Sequence, residues 1–165
     1  MLTYINYPID KEKMLKIAED ARKYASAYKH PIDKSRPILP NWKSVHGYDS
    51  DYGRQIMRDM EVIGRIDFYF HAPNTDLLPH VDPKCRCSIN FVLSGADAPV
   101  TFHESLIKTG VAGGASVDYY YEQAVLNTFL PHSVKSSDTE RILFKICILN
   151  ESYESVVSRI PYIVK

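Results

Sequence analysis

The sequence predicts an α+β fold that is mainly β: a sandwich or barrel of short strands over residues 65–150, helices from residues 1–64 packed outside it, and a short helix or tail over 151–165. Three observations predict it. Apolar residues recur at helical spacing only in the front of the chain. From Arg65 onward the period drops to two. Clusters of Gly, Pro, Asp and Ser then cut the back of the chain into short segments. The 165 residues suffice for one core, so the whole chain is read as a single domain.

Asp10 is a suitable N-cap for a helix over 11–28, with Met14, Ile17, Ala18, Ala21, Ala25 and Tyr28 on one face and Pro31 as its stop. Residues 31–48 are rich in proline and polar groups and read as a long loop carrying Trp42 and His46. Ser50 or Asp51 caps a second helix that places Ile56, Met57, Met60 and Ile63 together and ends at Gly64. The strands follow. In 66–72, Ile66, Phe68 and Phe70 alternate with Asp67, Tyr69 and His71. Further strands are expected over 86–93, 99–104, 116–122, 124–130 and 140–149, with turns at 95–99, 110–114 and 136–138. Residues 31–50 and 104–116 are expected as loops over the mouth of the barrel. A short helix over 151–159 ends before Pro161.

Composition excludes several classes. No apolar run approaches the roughly 20 residues of a membrane span. The N-terminus lacks a basic region followed by an apolar stretch, which predicts a cytoplasmic protein. Twenty Lys+Arg balance 20 Asp+Glu. That disfavours nucleic acid as the main partner, because phosphate binding usually demands a basic chain. The odd number of cysteines, Cys85, Cys87 and Cys147, is read as three reduced thiols. Nothing in the sequence sets an oligomeric state.

The chemistry concentrates in PHVDP, residues 79–83. On extended backbone His80 and Asp82 point to one face, so an imidazole and a carboxylate meet there. His132 closes an apolar strand beside Pro131, where it looks into a barrel mouth. Two His and one carboxylate form a facial triad that leaves coordination positions open. Arg141 opens the apolar strand RILFKICIL, and an arginine there costs desolvation unless an anion meets it.

His80-x-Asp82, then His132, then Arg141 nine residues later resembles the signature of the Fe(II)/2-oxoglutarate-dependent oxygenases. The phrases HVDPKCRCSINFVLSG and LNTFLPHSVKSSDTERILFKI look like the small single-domain members of bacteria and phages. The resemblance covers about residues 66–149. It implies a double-stranded β-helix, a jelly-roll or cupin-like core. It implies Fe(II) held by His80, Asp82 and His132, and 2-oxoglutarate held through its C5 carboxylate by Arg141. It further implies O2 as oxidant, succinate and CO2 as products, hydroxylation of a C–H bond, and ascorbate as a stimulant. Asp82 argues against halogenation, because halogenating members lack that carboxylate. Tyr69, His71, Asn90 and Asn127 are candidate cosubstrate contacts.

Plainer readings explain single residues. A proline-flanked surface turn accounts for His80 and Asp82, and an ion pair with Glu140 or Asp138 for Arg141, but neither accounts for the ordered set. His30, His46 and His103 lack ligand spacing and are read as structural or exposed. Tyr119, Tyr120 and Tyr121 are read as a strand with alternate rings buried, one exposed ring lining the substrate entrance. Two other classes use parts of the same pattern: a cupin-like metal barrel without 2-oxoglutarate, which needs no Arg141, and a non-catalytic β-sandwich module with exposed motif residues. The primary substrate is not encoded in the motif. An amino acid, a peptide or protein side chain, or a small metabolite all fit.

Overall fold

The computed structural model describes residues 1–28 and 39–165. In chain order the elements are β1 (Leu2–Tyr4), α1 (Lys11–Arg22), β2 (Ser26–Tyr28), β3 (Leu39–His46), α2 (Asp51–Asp59), β4 (Arg65–His71), β5 (Leu77–His80), β6 (Cys87–Ser94), β7 (Val100–Lys108), β8 (Val111–Tyr119), β9 (Gln123–Leu126), β10 (His132–Val134), β11 (Arg141–Ile148) and α3 (Tyr153–Val157). The strands form a seven-stranded sheet, β1-β9-β6-β11-β4-β3-β2, and a four-stranded sheet, β5-β10-β7-β8. The two sheets make the jelly-roll core that the sequence predicts. Among the described residues no helix is long and apolar enough to cross a membrane.

Both faces of the larger sheet are covered. The outer face carries Ile66, Phe68, Phe70, Ile89, Phe91, Ile142, Phe144 and Ile146, and it meets Met14, Ala18 and Ala21 of α1 and Ile56 of α2 in one apolar cluster. Phe144 lies at its centre, with ring centroids 5.5 Å from Phe68 and 5.4 Å from Phe91. The inner face presents the opposite set of each strand: Asp67, Tyr69 and His71; Ser88 and Asn90; Arg141, Leu143 and Lys145. The period of two thus sends Ile66, Phe68, Phe70, Phe91, Phe144 and Ile146 to the helices and places the charged and polar residues, beside apolar ones such as Leu143, in the space between the sheets.

Several expectations are corrected. Asp10 does cap α1, accepting from Lys13 N–H at 3.0 Å, but the helix ends at Arg22 rather than at 28. Residues 26–28 pair with β3 instead, because an open sheet edge offers ladder hydrogen bonds that helix propensity does not match. Pro31, His30 and residues 31–38 of the expected loop lie outside the described residues. The rest of that loop is largely β3, paired along its length with β4. Its polar composition hid a strand that buries only Trp42, Ser44 and Val45 among its described side chains. The front of the chain, expected as helical support, therefore also supplies three strands of the larger sheet.

Ser50 caps α2, accepting from Gly53 N–H at 3.1 Å. The helix stops at Asp59, before Gly64. Glu61 turns the chain left-handed at φ 56°, and Val62 N–H closes the end on Met57 O at 3.0 Å. Ile63, expected on the buried face, is 88% exposed. Gly64 has a different duty: a Cβ there would lie 2.8 Å from Cys147 O, so only glycine lets the chain enter β4 this close to β11.

Residues 104–116 are no loop but most of the β7–β8 hairpin, with Gly113 and Gly114 inside β8. The strand expected over 124–130 ends at Leu126, and β10 is a separate short strand. The cysteine expectation also changes. Cys85 and Cys147 are joined as a disulfide, and Cys87 alone is free and buried. Register brings them together, since Cys147 lies opposite Ser88, three residues from Cys85.

At one end of the inner face Asp67 accepts from Arg65 Nε and Nη2, both at 2.8 Å, and from Gly47 N–H at 3.1 Å, and it pairs with His46 Nδ1 at 3.2 Å. His46 is thus a structural partner on β3. Burial alone would push the Asp67 carboxyl up, but the bonds from His46 and Arg65 outweigh it and hold the group below the usual carboxylate range.

Two predictions follow from this packing. Phe144→Ala is expected to lose about 3–5 kcal/mol of stability in urea unfolding, while Ile63→Ala stays within about 0.5 kcal/mol of wild type. Because the folded pKa of Asp67 is depressed, its contribution is present above the unfolded carboxylate pKa and is lost as pH falls through the folded value. Asp67→Asn should therefore destabilise near neutral pH, and the gap to wild type should shrink as unfolding is repeated toward about pH 3. A pH-independent gap would refute that assignment.

Candidate metal centre

Antiparallel pairing sets the two histidines side by side. In the β5–β10 register His80 is the direct partner of His132, and their ring centroids are 4.4 Å apart. Each ring is fixed in the same way. His80 Nδ1–H donates to Leu78 O at 2.8 Å, and His132 Nδ1–H donates to Leu130 O at 2.9 Å. A carbonyl only accepts, so both neutral rings keep their lone pair on Nε2, the atom a metal takes. Burial keeps both rings uncharged: it is the main cause that lowers His80 to about 3, with His132 adding to it, and it lowers His132 as well.

Asp82 follows β5 by two residues in a tightly held turn. Its N–H donates to Thr128 O at 3.0 Å, its own carbonyl accepts from Cys85 N–H at 3.2 Å, and Thr128 Oγ1 donates to Cys85 O at 2.6 Å. Asp82 Oδ1 stands 3.5 Å from His80 Nε2. Oδ2 accepts from Lys145 Nζ at 2.7 Å. Burial opposes the carboxylate's charge, but the Lys145 ammonium beside it outweighs burial and holds its pKa far below the usual range. Lys145 likewise stays charged against burial because of Asp82.

The ligand atoms of His80, Asp82 and His132 all lie within 4.8 Å of one another. Two neutral imidazoles and one ionised carboxylate on one side of a cavity fit a divalent transition ion with open positions. The residues present therefore suit Fe(II).

The same cavity extends to Arg141, which is 3% exposed. Its Nη1 donates to Ala98 O at 2.6 Å and Gly95 O at 3.2 Å, and its guanidinium lies 5.6 Å from the Tyr121 ring centroid. Gly95, at φ 69°, makes this possible, since a Cβ there would come within 2.9 Å of Arg141 Cα. Glu140, which the plainer reading would pair with Arg141, pairs with Arg22 instead. Among the described residues no carboxylate forms an ion pair with Arg141. Opposite it in the β11–β4 register is His71, whose ring centroid lies 4.0 Å from that of Trp42 with the two planes tilted by 39°, and whose pKa is lowered to about 4 chiefly by burial. His71 Nε2 and Asn90 Oδ1 are buried without a hydrogen-bond partner among the described residues.

Seven of the eight sequence candidates meet in this cavity: His80, Asp82, His132, Arg141, Tyr69, His71 and Asn90. Asn127 does not. Its Oδ1 accepts from Phe129 N–H at 3.3 Å and shapes the turn before β10, and Thr128 lines the cavity instead. Of the three tyrosines, Tyr121 is buried and accepts from Asn90 Nδ2 at 3.0 Å, while Tyr120 is exposed. Sequence reasoning missed Trp42, hidden in the expected loop, and Lys145. The signal for Lys145 was its parity with Arg141 inside an apolar run.

No protein-family model matches the chain, and no curated protein matches it in sequence. Solved structures do match in fold. A prolyl-4-hydroxylase from Pseudomonas putida superposes with a TM-score of 0.57 at 15% identity, covering 91% of this chain and 92% of that one. The non-heme alpha ketoglutarate dependent carbocyclase SnoK from nogalamycin biosynthesis gives 0.58 at 9% identity, covering 88% and 78%. The DMSP lyase DddQ from Ruegeria pomeroyi gives 0.54 at 9% identity, covering 89% and 67%. The chain has the Fe(II)/2-oxoglutarate oxygenase-like fold, and it carries a His-Asp-His cluster able to hold a metal ion.

Proposed function

We propose that the protein is an Fe(II)- and 2-oxoglutarate-dependent dioxygenase that hydroxylates a C–H bond of an amino acid, a peptide or protein side chain, or a small metabolite. The observation that supports it most is the presence in one cavity of the His80, Asp82, His132 cluster and a buried Arg141 with no carboxylate partner among the described residues. A metal barrel that does not use 2-oxoglutarate has no need to bury a guanidinium there.

In this reading His80 Nε2, His132 Nε2 and Asp82 hold the iron. Bound there, Fe(II) supplies the redox chemistry by which O2 converts 2-oxoglutarate to succinate and CO2 while a C–H bond is hydroxylated. Arg141 binds the far carboxylate of the cosubstrate, and the low-dielectric surroundings strengthen that charge-assisted bond. Tyr121 accepts from Asn90, which leaves its own hydroxyl proton to donate into the cavity. His71, uncharged, adds no second cation, so Arg141 alone matches the anion's distal charge at that end. Leu143, Leu77 and Val134 supply apolar walls that exclude water.

Anaerobic titration tests the reading. Wild type is expected to bind one Mn(II) per chain, and His80→Ala, Asp82→Ala and His132→Ala should each lose that binding, with Asp82→Ala also losing stability because it leaves the Lys145 ammonium buried and unpaired. Arg141→Gln should weaken 2-oxoglutarate by roughly 10- to 100-fold, about 1.4 kcal/mol per tenfold, with Mn(II) affinity unchanged. Slow formation of succinate in Fe(II), ascorbate and air, without any primary substrate, is the expected activity. Normal metal binding with no detectable 2-oxoglutarate binding would transfer the protein to the class of metal barrels that do not use this cosubstrate.

A further inference from the structure

We propose that Lys145 is a positioning residue that limits Asp82 to ligation through one oxygen and thereby keeps the other coordination positions of the centre open. The inference rests on the reading of His80, Asp82 and His132 as metal ligands.

The two carboxylate oxygens have separate surroundings. Oδ1 faces His80 Nε2 at 3.5 Å, while Oδ2 is held by Lys145 Nζ at 2.7 Å. The backbone leaves Asp82 little other freedom. Its turn is tied to Thr128 through the Asp82 N–H, and to β11 through Arg86 N–H on Ile148 O at 3.1 Å and through the Cys85–Cys147 disulfide. Rotation of the carboxylate is the remaining motion, and Lys145 opposes it. A carboxylate free to rotate beside a divalent ion can chelate through both oxygens, which takes up one more position.

Among the described residues Lys145 forms its side-chain hydrogen bond and ion pair with Asp82 alone. It sits on the inner face of β11 between Asn90 of β6 and Asp67 of β4, with its side chain 8% exposed. Asp67 is already held by Arg65 and His46. The Tyr69 ring centroid lies 5.5 Å from Nζ, so the ammonium is flanked by a π-face and directed at Asp82. A buried ion pair of this kind is weak as a source of stability, and an apolar side chain of similar volume often serves stability as well or better. Stability therefore does not account for a lysine at this place, whereas control of the carboxylate does.

The test counts exchangeable waters on bound Mn(II) by water-proton relaxation. Lys145→Met keeps the length and removes the charge, and each variant is purified with Mn(II) present so that the ion balances Asp82. A triad with one-oxygen ligation leaves three open positions on an octahedral ion, and chelation leaves two. Lys145→Met is therefore expected to bind Mn(II) at least as tightly as wild type, with the bound-ion relaxivity lower by roughly one-third. Lys145→Arg, which keeps the charge, should restore the wild-type value. Should Lys145→Met fail to fold, Lys145→Leu, which also lacks a donor, is read in the same way. Lys145→Met that binds Mn(II) with wild-type relaxivity overturns the inference while leaving the metal-centre reading intact, even if its melting temperature falls. Wild type that binds no Mn(II) overturns the metal-centre reading and takes this inference with it.

Discussion

Charges buried between two sheets are the constraint around which this molecule is organised. Arg141, Lys145 and Asp82 all line the cavity between the larger sheet and the smaller one. Removing such groups from water costs several kcal/mol each unless hydrogen bonds and opposite charges return it. The structure returns it in two ways. Carbonyls of Gly95 and Ala98 receive the Arg141 guanidinium, and Lys145 and Asp82 offset each other. The apolar free energy comes from elsewhere, namely the opposite face of the same sheet, where Phe68, Phe91 and Phe144 pack under the helices. One strand, β11, serves both: Ile142, Phe144 and Ile146 face the helices, and Arg141 and Lys145 face the cavity.

The small sheet has a different role. Its Val100 and Phe102 join a second, smaller apolar cluster, and its strand pairing sets the geometry of the cavity. Two histidines far apart in sequence become neighbours because β5 and β10 pair antiparallel with His80 opposite His132. The same bond pattern, a ring nitrogen donating to the carbonyl two residues earlier, orients both rings alike. Asp82 then arrives from the turn that follows β5, already ionised and already directed by Lys145. The candidate metal-binding cluster is thus arranged by backbone register and by one ammonium, with the other end of the cavity lined independently by Arg141, His71, Asn90 and Tyr121.

Much of this was legible in the sequence. The His-x-Asp pair, the late histidine and the arginine at the head of an apolar strand were read from residue type and spacing, and the structure gathers all four into one cavity. The alternation in IDFYFHA gave the correct faces of β4. Asn127 is a candidate contact by its nearness to His132 in sequence, but a turn intervenes and its amide oxygen accepts from Phe129 N–H. Trp42 was invisible because β3 is half polar and carries a proline, which masks a strand buried mainly on one side. Gly113 and Gly114 looked like a turn, yet they lie within β8, where their neighbours on β7 supply the ladder.

The sequence by itself determined the fold class, the inner and outer faces of the central strands and the residue types available for chemistry, because hydrophobic period and side-chain chemistry are local properties. Tertiary structure alone decided which carboxylate oxygen stands toward the histidines, that Lys145 answers Asp82, that Glu140 goes to Arg22 rather than to Arg141, and that Cys85 meets Cys147. Each of those outcomes depends on strand register across 60 or more residues or on the packing of a helix against a sheet edge, and no local pattern encodes which of several equivalent partners ends up within hydrogen-bond distance.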